Sequence, residues 1–369
     1  MKKPEPTPIV SLEIADDGLG PLVAQVRSLL QSARRTAAVS INSLQVRTNY
    51  EIGRLIVEHE QQGHQRAAYG QALVKELARR LTTEVGRGYS YQSLYVMRNF
   101  YLAYRTSIQA IFQTPSGILP NNLPAEVFTL SWSHYVLLIG VRDENERRFY
   151  EIEAGRNSWS LRELQRQVGS GLYERLALSR DKVRAQQLAN EGQIVATPAD
   201  IIKDPYVLEF LGLDISPGYS ESDLESAIIS KLEHFLLELG KGFLFEGRQK
   251  RFTFDEDHFY VDLVFYNRLL RCYVLIDLKL DQLTHQDLGQ MQMYVNYFDR
   301  YVKAPEENPT VGIVLCRRKK DALVELTLPK DANIFAAAYQ LYLPTKEDLR
   351  SRLMEWIEES GDAGEASPD

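Results

Sequence analysis

Residues 259–266 read FYVDLVFY, and residues 272–280 read CYVLIDLKL. Both segments are rich in aromatic, β-branched and aliphatic residues, which is typical of strands in the core of a sheet. Three charged residues interrupt them: Asp262 in the first segment, and Asp277 and Lys279 in the second. A carboxylate in such a strand loses its hydration at a cost of several kcal/mol unless a cation or a metal compensates it. The two segments therefore predict a sheet that carries a compensated charged site.

The spacing of these charges predicts a metal site. Asp277 and Lys279 are two residues apart on one strand, so their side chains point to the same face. A turn around residues 268–270 would pair Asp262 within a residue or two of Asp277. The two carboxylates could then bind one hard cation together with the backbone carbonyl of Leu278, and Mg²⁺ suits such oxygen ligands. Because a bound metal activates water and neutralises phosphate charge, this set predicts phosphodiester hydrolysis, with Lys279 placed to steady the attacking water.

Five further residues are candidates for the same site. Glu225 lies near the apolar stripe of a preceding helix and could reach the metal through a water molecule. Gln290 and Tyr294 are four residues apart on a predicted helix, so they share one face and could bind a phosphate. Arg248 and Gln249, at the end of the preceding strand, offer further phosphate contacts.

Five of these candidates also have a purely structural interpretation. Asp277 and Lys279 could form an ion pair on an edge strand. Glu225 could be a surface residue that the helix dipole favours, and Gln290 and Tyr294 could be ordinary packing and surface residues.

The apolar pattern divides the chain into two predicted domains. Helical periodicity begins at Leu22, lapses between about residues 190 and 205, and is followed by a pattern of helix, three strands, helix and strand. The predicted boundaries are as follows: 1–20, a disordered N-terminus; 21–189, a helical domain; 190–204, a linker; 205–348, a mixed α/β domain; 349–369, a helix end and an acidic tail. Within the second domain, the predicted elements are a helix over 222–239, strands over 243–250, 259–266 and 272–280, a helix over 285–301 and a strand over 311–316.

The N-terminal domain is basic and has the outline of a helix-turn-helix. Residues 21–184 hold 22 Lys and Arg against 14 Asp and Glu, a net charge of +8 in a chain of net charge −7. Residues 71–104 predict two helices around a glycine-bearing turn. Four residues there are candidate DNA contacts: Arg87, Tyr91, Gln92 and Arg98. The alternative is a helical hairpin whose tyrosines pack in the core. We expect this domain to bind DNA or a partner protein and to direct the activity of the second domain.

Composition limits the class of protein. The chain has two cysteines, both in apolar strand patterns, which favours buried thiols in a reducing compartment over disulfides. No apolar segment approaches the roughly 20 residues of a membrane-spanning helix, and the N-terminus does not look like a signal peptide. We therefore expect a cytoplasmic protein without a membrane partner. The six histidines form no zinc pattern, and a phosphate-binding glycine loop and a nucleophile elbow are absent.

The ordered motif set resembles a known family. Its elements are Glu225, Asp262, DLK at 277–279 and QMQMY at 290–294, and together they resemble the PD-(D/E)xK nuclease superfamily. More closely, the segments FLLELGKGF (235–243), GRQ (247–249), LSWSHY (130–135) and WSLREL (159–164) resemble the YhcG-like nucleases, which join a helical N-terminal domain to this nuclease domain. The resemblance covers about residues 21–345. The D-x-K pattern alone is weak, whereas the ordered set is specific.

The resemblance implies an αβββαβ core with a mixed sheet, divalent-metal catalysis and a DNA substrate. By that match the catalytic roles fall to Glu225, Asp262, Asp277 and Lys279. Gln290 and Tyr294 match the Q-xxx-Y element of the RecB-like branch of the superfamily. The chain departs from many members in carrying aspartate rather than glutamate at position 277.

The leading hypothesis is a Mg²⁺-dependent deoxyribonuclease, with Mn²⁺ able to substitute, that acts in DNA processing, recombination or defence against foreign DNA. The alternative is a catalytically inactive module on a nuclease fold that binds nucleic acid or assembles with proteins. A homodimer is expected only by analogy with nucleases that cut both strands.

Overall fold

The computed structural model describes residues 19–62, 67–111, 124, 127–179, 182–213, 218–254, 256–329, 332–345, 347–349 and 351. Most of the predicted disordered N-terminus (1–20) and of the acidic tail (349–369) lies outside these residues. The chain divides into two compact units, Met1–Gly140 and Val141–Asp369.

The described part of the first unit is entirely helical. Its helices are α1 (Leu19–Gln62), α2 (Ala67–Glu84), α3 (Tyr91–Ile111) and α4 (Trp132–Leu138). An aromatic cluster holds α1, α3 and α4 together. In this cluster the ring of Phe100 packs against the rings of Tyr50, Phe128 and Tyr135 at centroid distances of 5.8, 5.2 and 5.1 Å, and all four side chains are buried. The predicted all-α N-terminal region is confirmed.

The first half of α1 is helical as predicted, but its apolar side chains are not buried. Leu22, Leu29 and Ile41 are 53%, 70% and 65% exposed. Their recurrence at helical spacing therefore predicted the helix correctly, although no described residue covers that face. Exposed apolar faces of this kind mark surfaces available to other molecules.

The second unit combines helices with one six-stranded sheet. Its helices are α5 (Glu144–Arg156), α6 (Leu161–Gly169), α7 (Leu172–Leu178), α8 (Lys182–Glu191), α9 (Glu221–Ser230), α10 (Leu232–Leu239), α11 (His285–Tyr301) and α12 (Asp321–Thr327). Its strands are β1 (Tyr206–Val207), β2 (Phe243–Phe254), β3 (Asp257–Asn267), β4 (Cys272–Gln282), β5 (Val311–Arg318) and β6 (Ile334–Gln340). None of the described helices is long and apolar enough to cross a bilayer.

The sheet is mixed, as predicted, and has the order β1-β6-β5-β4-β3-β2. Strands β2, β3 and β4 pair antiparallel, whereas β4, β5, β6 and β1 run parallel. Apolar side chains from α9 and α10 cover one face, and apolar side chains from α11 cover the other. A sheet that is covered on both faces has nearly continuous apolar sequences in its central strands. This explains the apolar segments from which the strands were predicted.

Two details differ from the sequence prediction. The helix predicted over 222–239 is divided, because Lys231 leaves the helical conformation (φ −121°, ψ 29°) between α9 and α10. The segment predicted as a linker, 190–204, is packed within the second unit. Ile201 is 1% exposed and contributes to the sheet core, and Lys203 is 2% exposed. The two compact units meet between Gly140 and Val141, and the predicted domain boundaries stay a prediction.

Candidate active site

The candidate site lies where the central sheet divides. Strands β3 and β4 pair from Asn267 opposite Cys272 up to Leu263 opposite Ile276. Beyond that point β3 stays with β2 and β4 stays with β5. Asp262 and Asp277 are the next residues on the two diverging strands, so their carboxylates lie at this fork. The predicted hairpin register is confirmed.

The backbone of Leu278 contributes to the fork. Its N–H donates a hydrogen bond to Asp262 Oδ2 at 2.9 Å. Because the N–H and C=O of one strand residue point toward the same neighbouring strand, the Leu278 carbonyl also faces the fork. This orientation agrees with the expectation that the carbonyl could ligate a metal.

Gln249 joins two of the predicted acidic residues. A register shift between Phe245 and Gly247 bulges β2, and Gln249 adopts a left-handed backbone conformation with φ 47°. Its side-chain amide donates to Asp262 Oδ1 at 3.0 Å and to Glu225 Oε2 at 2.5 Å. Positive φ costs energy in a residue other than glycine and recurs at functional sites. Gln249, expected to contact phosphate, instead bridges the carboxylates.

Glu225 and Arg248 lie at the edge of this arrangement. Glu225 is 6% exposed, and burial raises the pKa of its carboxyl, although the hydrogen bond from Gln249 opposes this shift. Arg248 is exposed, and its charge also opposes the rise in that pKa. Glu225 therefore reaches Asp262 through Gln249.

Asp277 and Lys279 form an ion pair on β4, the contact that the structural interpretation expected, and Lys279 is partly buried. Asp277 is 3% exposed, and its Oδ2 lies 2.8 Å from Lys279 Nζ. Burial and the nearby charge of Asp262 raise the pKa of Asp277 to about 7, while Lys279 opposes that rise. Burial lowers the pKa of Lys279, but the attraction of Asp277 and other nearby acids outweighs it and raises the net value. At these two residues β4 pairs with β5 and no longer with β3, so the ion pair lies on a strand edge that faces the fork.

Sequence reasoning missed Glu221, whose Oε2 lies 3.8 Å from Lys279 Nζ. Glu221 begins α9 and is four residues before Glu225, so the two acids share one side of the helix. That spacing was the available signal.

Gln290 and Tyr294 form a pair on α11. The Gln290 amide donates a hydrogen bond to the Tyr294 hydroxyl. Tyr294 is 1% exposed and packs edge-on against Phe252, and burial, followed by the charges of Asp277 and Asp262, raises the pKa of its hydroxyl. The predicted shared face is confirmed, and the tyrosine is also a core residue.

The residues at the fork fit a divalent cation. Among the described residues, no three acidic, histidine or cysteine side chains already converge on one point as metal ligands do. The carboxylates are held instead by Gln249, Leu278 and Lys279. However, ionised Asp277 is destabilised by burial and by a second carboxylate, and a cation is what relieves both effects. Carboxylate and carbonyl oxygens are the ligands that hard divalent ions prefer.

Comparison with known proteins identifies both parts of the chain. Residues 199–354 match the family described as "YhcG PDDEXK nuclease domain", and residues 25–175 match the "DUF1016 N-terminal domain". A protein of Escherichia coli (strain K12), "Putative nuclease YhcG", is 40% identical over 343 residues, which cover 88% of this chain and 91% of that protein. This chain belongs to the YhcG family. The predicted family and the predicted PD-(D/E)xK fold of its second domain are confirmed.

Two solved structures match part of this YhcG family member. A repair endonuclease from Pyrococcus abyssi is 19% identical, with a TM-score of 0.23 over 35% of this chain and 50% of that chain. The structure described as the EndoMS-dsDNA2 complex is 16% identical, with a TM-score of 0.24 over 36% and 50%.

In the N-terminal unit of this YhcG family member, the four candidate DNA contacts separate into two groups. Arg87 and Gln92 are exposed. Tyr91 is half-buried and its ring lies 6.2 Å from the ring of Tyr95. Arg98, in contrast, forms an ion pair with Glu60 of α1 at 2.9 Å. Its guanidinium therefore joins α3 to α1 and is neutralised there.

Proposed function

We propose that this YhcG family member is a metal-dependent DNA endonuclease that hydrolyses phosphodiester bonds, with Mg²⁺ as the ion and Mn²⁺ able to substitute. The observation that carries the proposal is the fork between β3 and β4. There Asp277 is buried, carries a raised pKa and has Lys279 at 2.8 Å and Asp262 on the neighbouring strand.

Each residue has a defined role in the proposal. Asp262, Asp277 and the Leu278 carbonyl would hold the ion, and Glu225 would reach it through water. A divalent ion supplies an activated water and neutralises charge on the phosphate. Lys279, fixed by Asp277, presents an ammonium group that stabilises negative charge as the phosphate is attacked.

Three residues around the fork would position the DNA. The exposed guanidinium of Arg248 is suited to bind a phosphate. The Gln290 amide and the Tyr294 hydroxyl are held together and would orient the phosphate or the groups of the fork.

Gln249 would release the carboxylates of Glu225 and Asp262 when a cation replaces its amide.

The N-terminal unit is proposed to bind DNA or a partner protein and to direct the nuclease, which would serve DNA processing, recombination or defence. Its exposed Arg87 and Gln92 support a DNA contact. A homodimer stays a prediction by analogy.

One observation favours the inactive alternative. Gln249 already bonds to both Glu225 and Asp262, so these carboxylates are satisfied without a cation. The alternative is a nucleic-acid-binding or complex-forming protein in which this bridge is permanent.

A cleavage assay separates the two functions. Purified full-length protein is incubated with plasmid, branched and single-stranded DNA in the presence of Mg²⁺, Mn²⁺ or EDTA. We expect cleavage with metal that is lost in EDTA and in Asp262→Ala and Asp277→Ala, but kept in Asp257→Ala, which removes an exposed acid of β3. Equal cleavage by all variants would indicate a contaminant and favour the inactive module.

A further inference from the structure

A crevice with no assigned role lies beside the fork. It has a volume of about 370 Å³ and is formed at the carboxyl ends of the parallel strands β4, β5 and β6. Its polar lining includes Asp281, Arg317, Arg318, Gln340 and Tyr342. In open α/β sheets, ligands bind outside the carboxyl ends of the strands. The volume lies within the usual range for small-molecule sites.

A β-bulge connects this crevice to the candidate site. Lys279 pairs with Cys316, but Gln282 pairs with Arg318, so β4 carries one extra residue in this interval. Leu280 and Asp281 therefore both lie opposite Arg317. Bulges are frequent next to active sites, where they redirect side chains. This bulge begins directly after Lys279 and turns the end of β4 toward the crevice.

The distance from the fork suits a neighbouring nucleotide. Arg318 follows Cys316, the partner of Lys279, by two residues, which is about 7 Å along β5. That length is about the rise of two nucleotides along one DNA strand. A strand whose phosphate is held at the fork would therefore reach the crevice within one or two nucleotides.

The lining has the chemistry of a nucleotide site. Arg317 and Arg318 supply positive charge for a phosphate, and an arginine fork can bind two phosphate oxygens. Tyr342 is 51% exposed, so its ring offers a face on which a base can stack. Gln340 Oε1 is buried and accepts no hydrogen bond within the part of the chain that the structure describes. A buried oxygen without a hydrogen bond is costly, so a ligand that donates one would be stabilised here. The exocyclic amine of a nucleotide base is such a donor.

We propose that the crevice is a subsite for one unstacked nucleotide of the DNA strand that is cut. Arg318 binds its phosphate, and Tyr342 stacks on its base. In a duplex the faces of each base are covered by its neighbours, so this subsite selects DNA that carries an unpaired tail or branch near the cleavage point. The inference rests on the proposed nuclease function and names the class of DNA that the same site takes.

The test measures binding without cleavage. The full-length Asp277→Asn protein is titrated into a fluorescein-labelled 20-base-pair duplex, either blunt or with a ten-thymidine tail, and anisotropy is followed at several salt concentrations. We expect Tyr342→Ala to weaken binding of the tailed DNA by about tenfold and to leave the blunt duplex within about twofold. Tyr342→Phe keeps the ring and should bind as the parent does.

The arginine is tested in the same assay. Arg318→Ala should lower the slope of log affinity against log salt by about 0.7 on the tailed DNA, because one single-strand phosphate contact is lost. Matched controls are Tyr301→Ala and Arg300→Ala, which remove exposed residues of the same types at the end of α11. The end of α11 leads to the amino end of β5, whereas the crevice lies at the carboxyl ends of the strands, so the controls should bind both DNAs as the parent does.

The outcomes distinguish the two proposals. Tailed DNA bound equally well by Tyr342→Ala and Tyr301→Ala, in a protein whose wild type cuts DNA, would overturn the subsite and leave the nuclease standing. Equal losses in Tyr342→Ala and Tyr342→Phe would also overturn it, because the ring was kept in the second variant. A protein that neither binds nor cuts any of these DNAs would overturn the nuclease function together with the subsite.

Discussion

Two carboxylates of the second unit are almost fully buried, yet their surroundings differ. Glu238 of α10 is 0% exposed, and its carboxylate lies 2.5 Å from Arg175 Nη1 and 3.3 Å from Arg166 Nη2. Asp277 of β4 is 3% exposed and, among the described residues, forms an ion pair with Lys279 at 2.8 Å.

The pKa values of these two acids move in opposite directions. Burial raises the pKa of Glu238, but Arg175, Lys203 and Arg166 outweigh it and bring the value to about 2. Burial, together with the charge of Asp262, raises the pKa of Asp277 to about 7. Burial of a charge therefore does not by itself mark a functional site. A carboxylate surrounded by cations holds the fold together, whereas a carboxylate with too few cations is suited to bind one.

The largest effect on stability is expected at Glu238, whose charge is compensated by neighbouring cations. Glu238→Gln would leave Arg175 and Lys203 buried without their counter-charge, and should lower the free energy of unfolding by about 3–5 kcal/mol. Because the folded-state pKa of Glu238 is lowered, its stabilisation is present above about pH 4.5 and is lost as pH falls toward 2. Urea unfolding at pH 7 measures the loss, and Glu233→Gln, an exposed acid on the same helix, is the control. Equal stability of the two variants would break the comparison.

The opposite effect on the free energy of unfolding is expected when Asp277 loses its charge. Asp277→Asn should raise the free energy of unfolding in EDTA at pH 8 by about 2–4 kcal/mol, because the folded state no longer holds a destabilised charge. The folded-state pKa is raised, so the destabilisation in the wild type is absent below about pH 4 and grows until about pH 7. The increase in the free energy of unfolding should therefore be less than half as large at pH 5 as at pH 8. A variant less stable than the wild type at pH 8 would contradict this account, and Asp257→Asn should change neither value.

Metal ions should remove the difference between the two acids. At a hundred times its dissociation constant, Mn²⁺ should stabilise the wild-type protein by about 2.7 kcal/mol. The effect should vanish in Asp277→Asn and Asp262→Asn and persist in Asp257→Asn. Thermal unfolding with Mn²⁺ or EDTA measures it without any DNA. Equal stabilisation of all four proteins would place the ion elsewhere.

A smaller effect is expected from Lys279, the cation that pairs with Asp277. Lys279→Met should slow DNA cleavage about ten- to a hundredfold, because an ammonium group that stabilises the phosphate is lost. It should not weaken Mn²⁺ binding, since removing a positive charge favours a cation. Lys231→Met, an exposed lysine between α9 and α10, serves as the control. If Mn²⁺ affinity fell along with cleavage, Lys279 would be shaping the site rather than acting on the phosphate.

The smallest effect is expected in DNA binding by the N-terminal unit, where an exposed arginine can be compared with a paired one. Arg87 is exposed and forms no ion pair with a described residue, whereas Arg98 is paired with Glu60. If this unit binds duplex DNA, Arg87→Ala should reduce the salt slope of binding by about 0.9, and Arg98→Ala should leave it nearly unchanged. Anisotropy measured at several salt concentrations tests both variants. Unchanged slopes in both would favour a protein partner for this unit.

Much of the candidate site could be predicted because it depends on local rules. Alternation along a strand places Asp277 and Lys279 on one face, and a short hairpin places Asp262 beside them. The link through Gln249 could not be predicted in this way. It depends on a bulge and a positive φ in β2, which follow from how three strands fit together. Glu221 was missed because its distance to Lys279 depends on how α9 packs against the sheet.

Burial was harder to predict than secondary structure. Leu29 and Ile201 are both apolar, yet the first is 70% exposed in a regular helix and the second is 1% exposed in a segment predicted as a linker. Periodicity reports the local conformation, but only the packing of distant segments decides which faces are covered.

The sequence alone determined that this chain has a helical region and a mixed α/β nuclease-type domain, and it placed two acids and a lysine together, because the periods of strands and helices are local properties. The tertiary structure decided which buried charges are compensated. It surrounded Glu238 with cations from α6 and α7 and left Asp277 beside a second acid. It also shaped the crevice next to Lys279. The physical reason is that the energy of a buried charge depends on neighbours brought from distant parts of the chain.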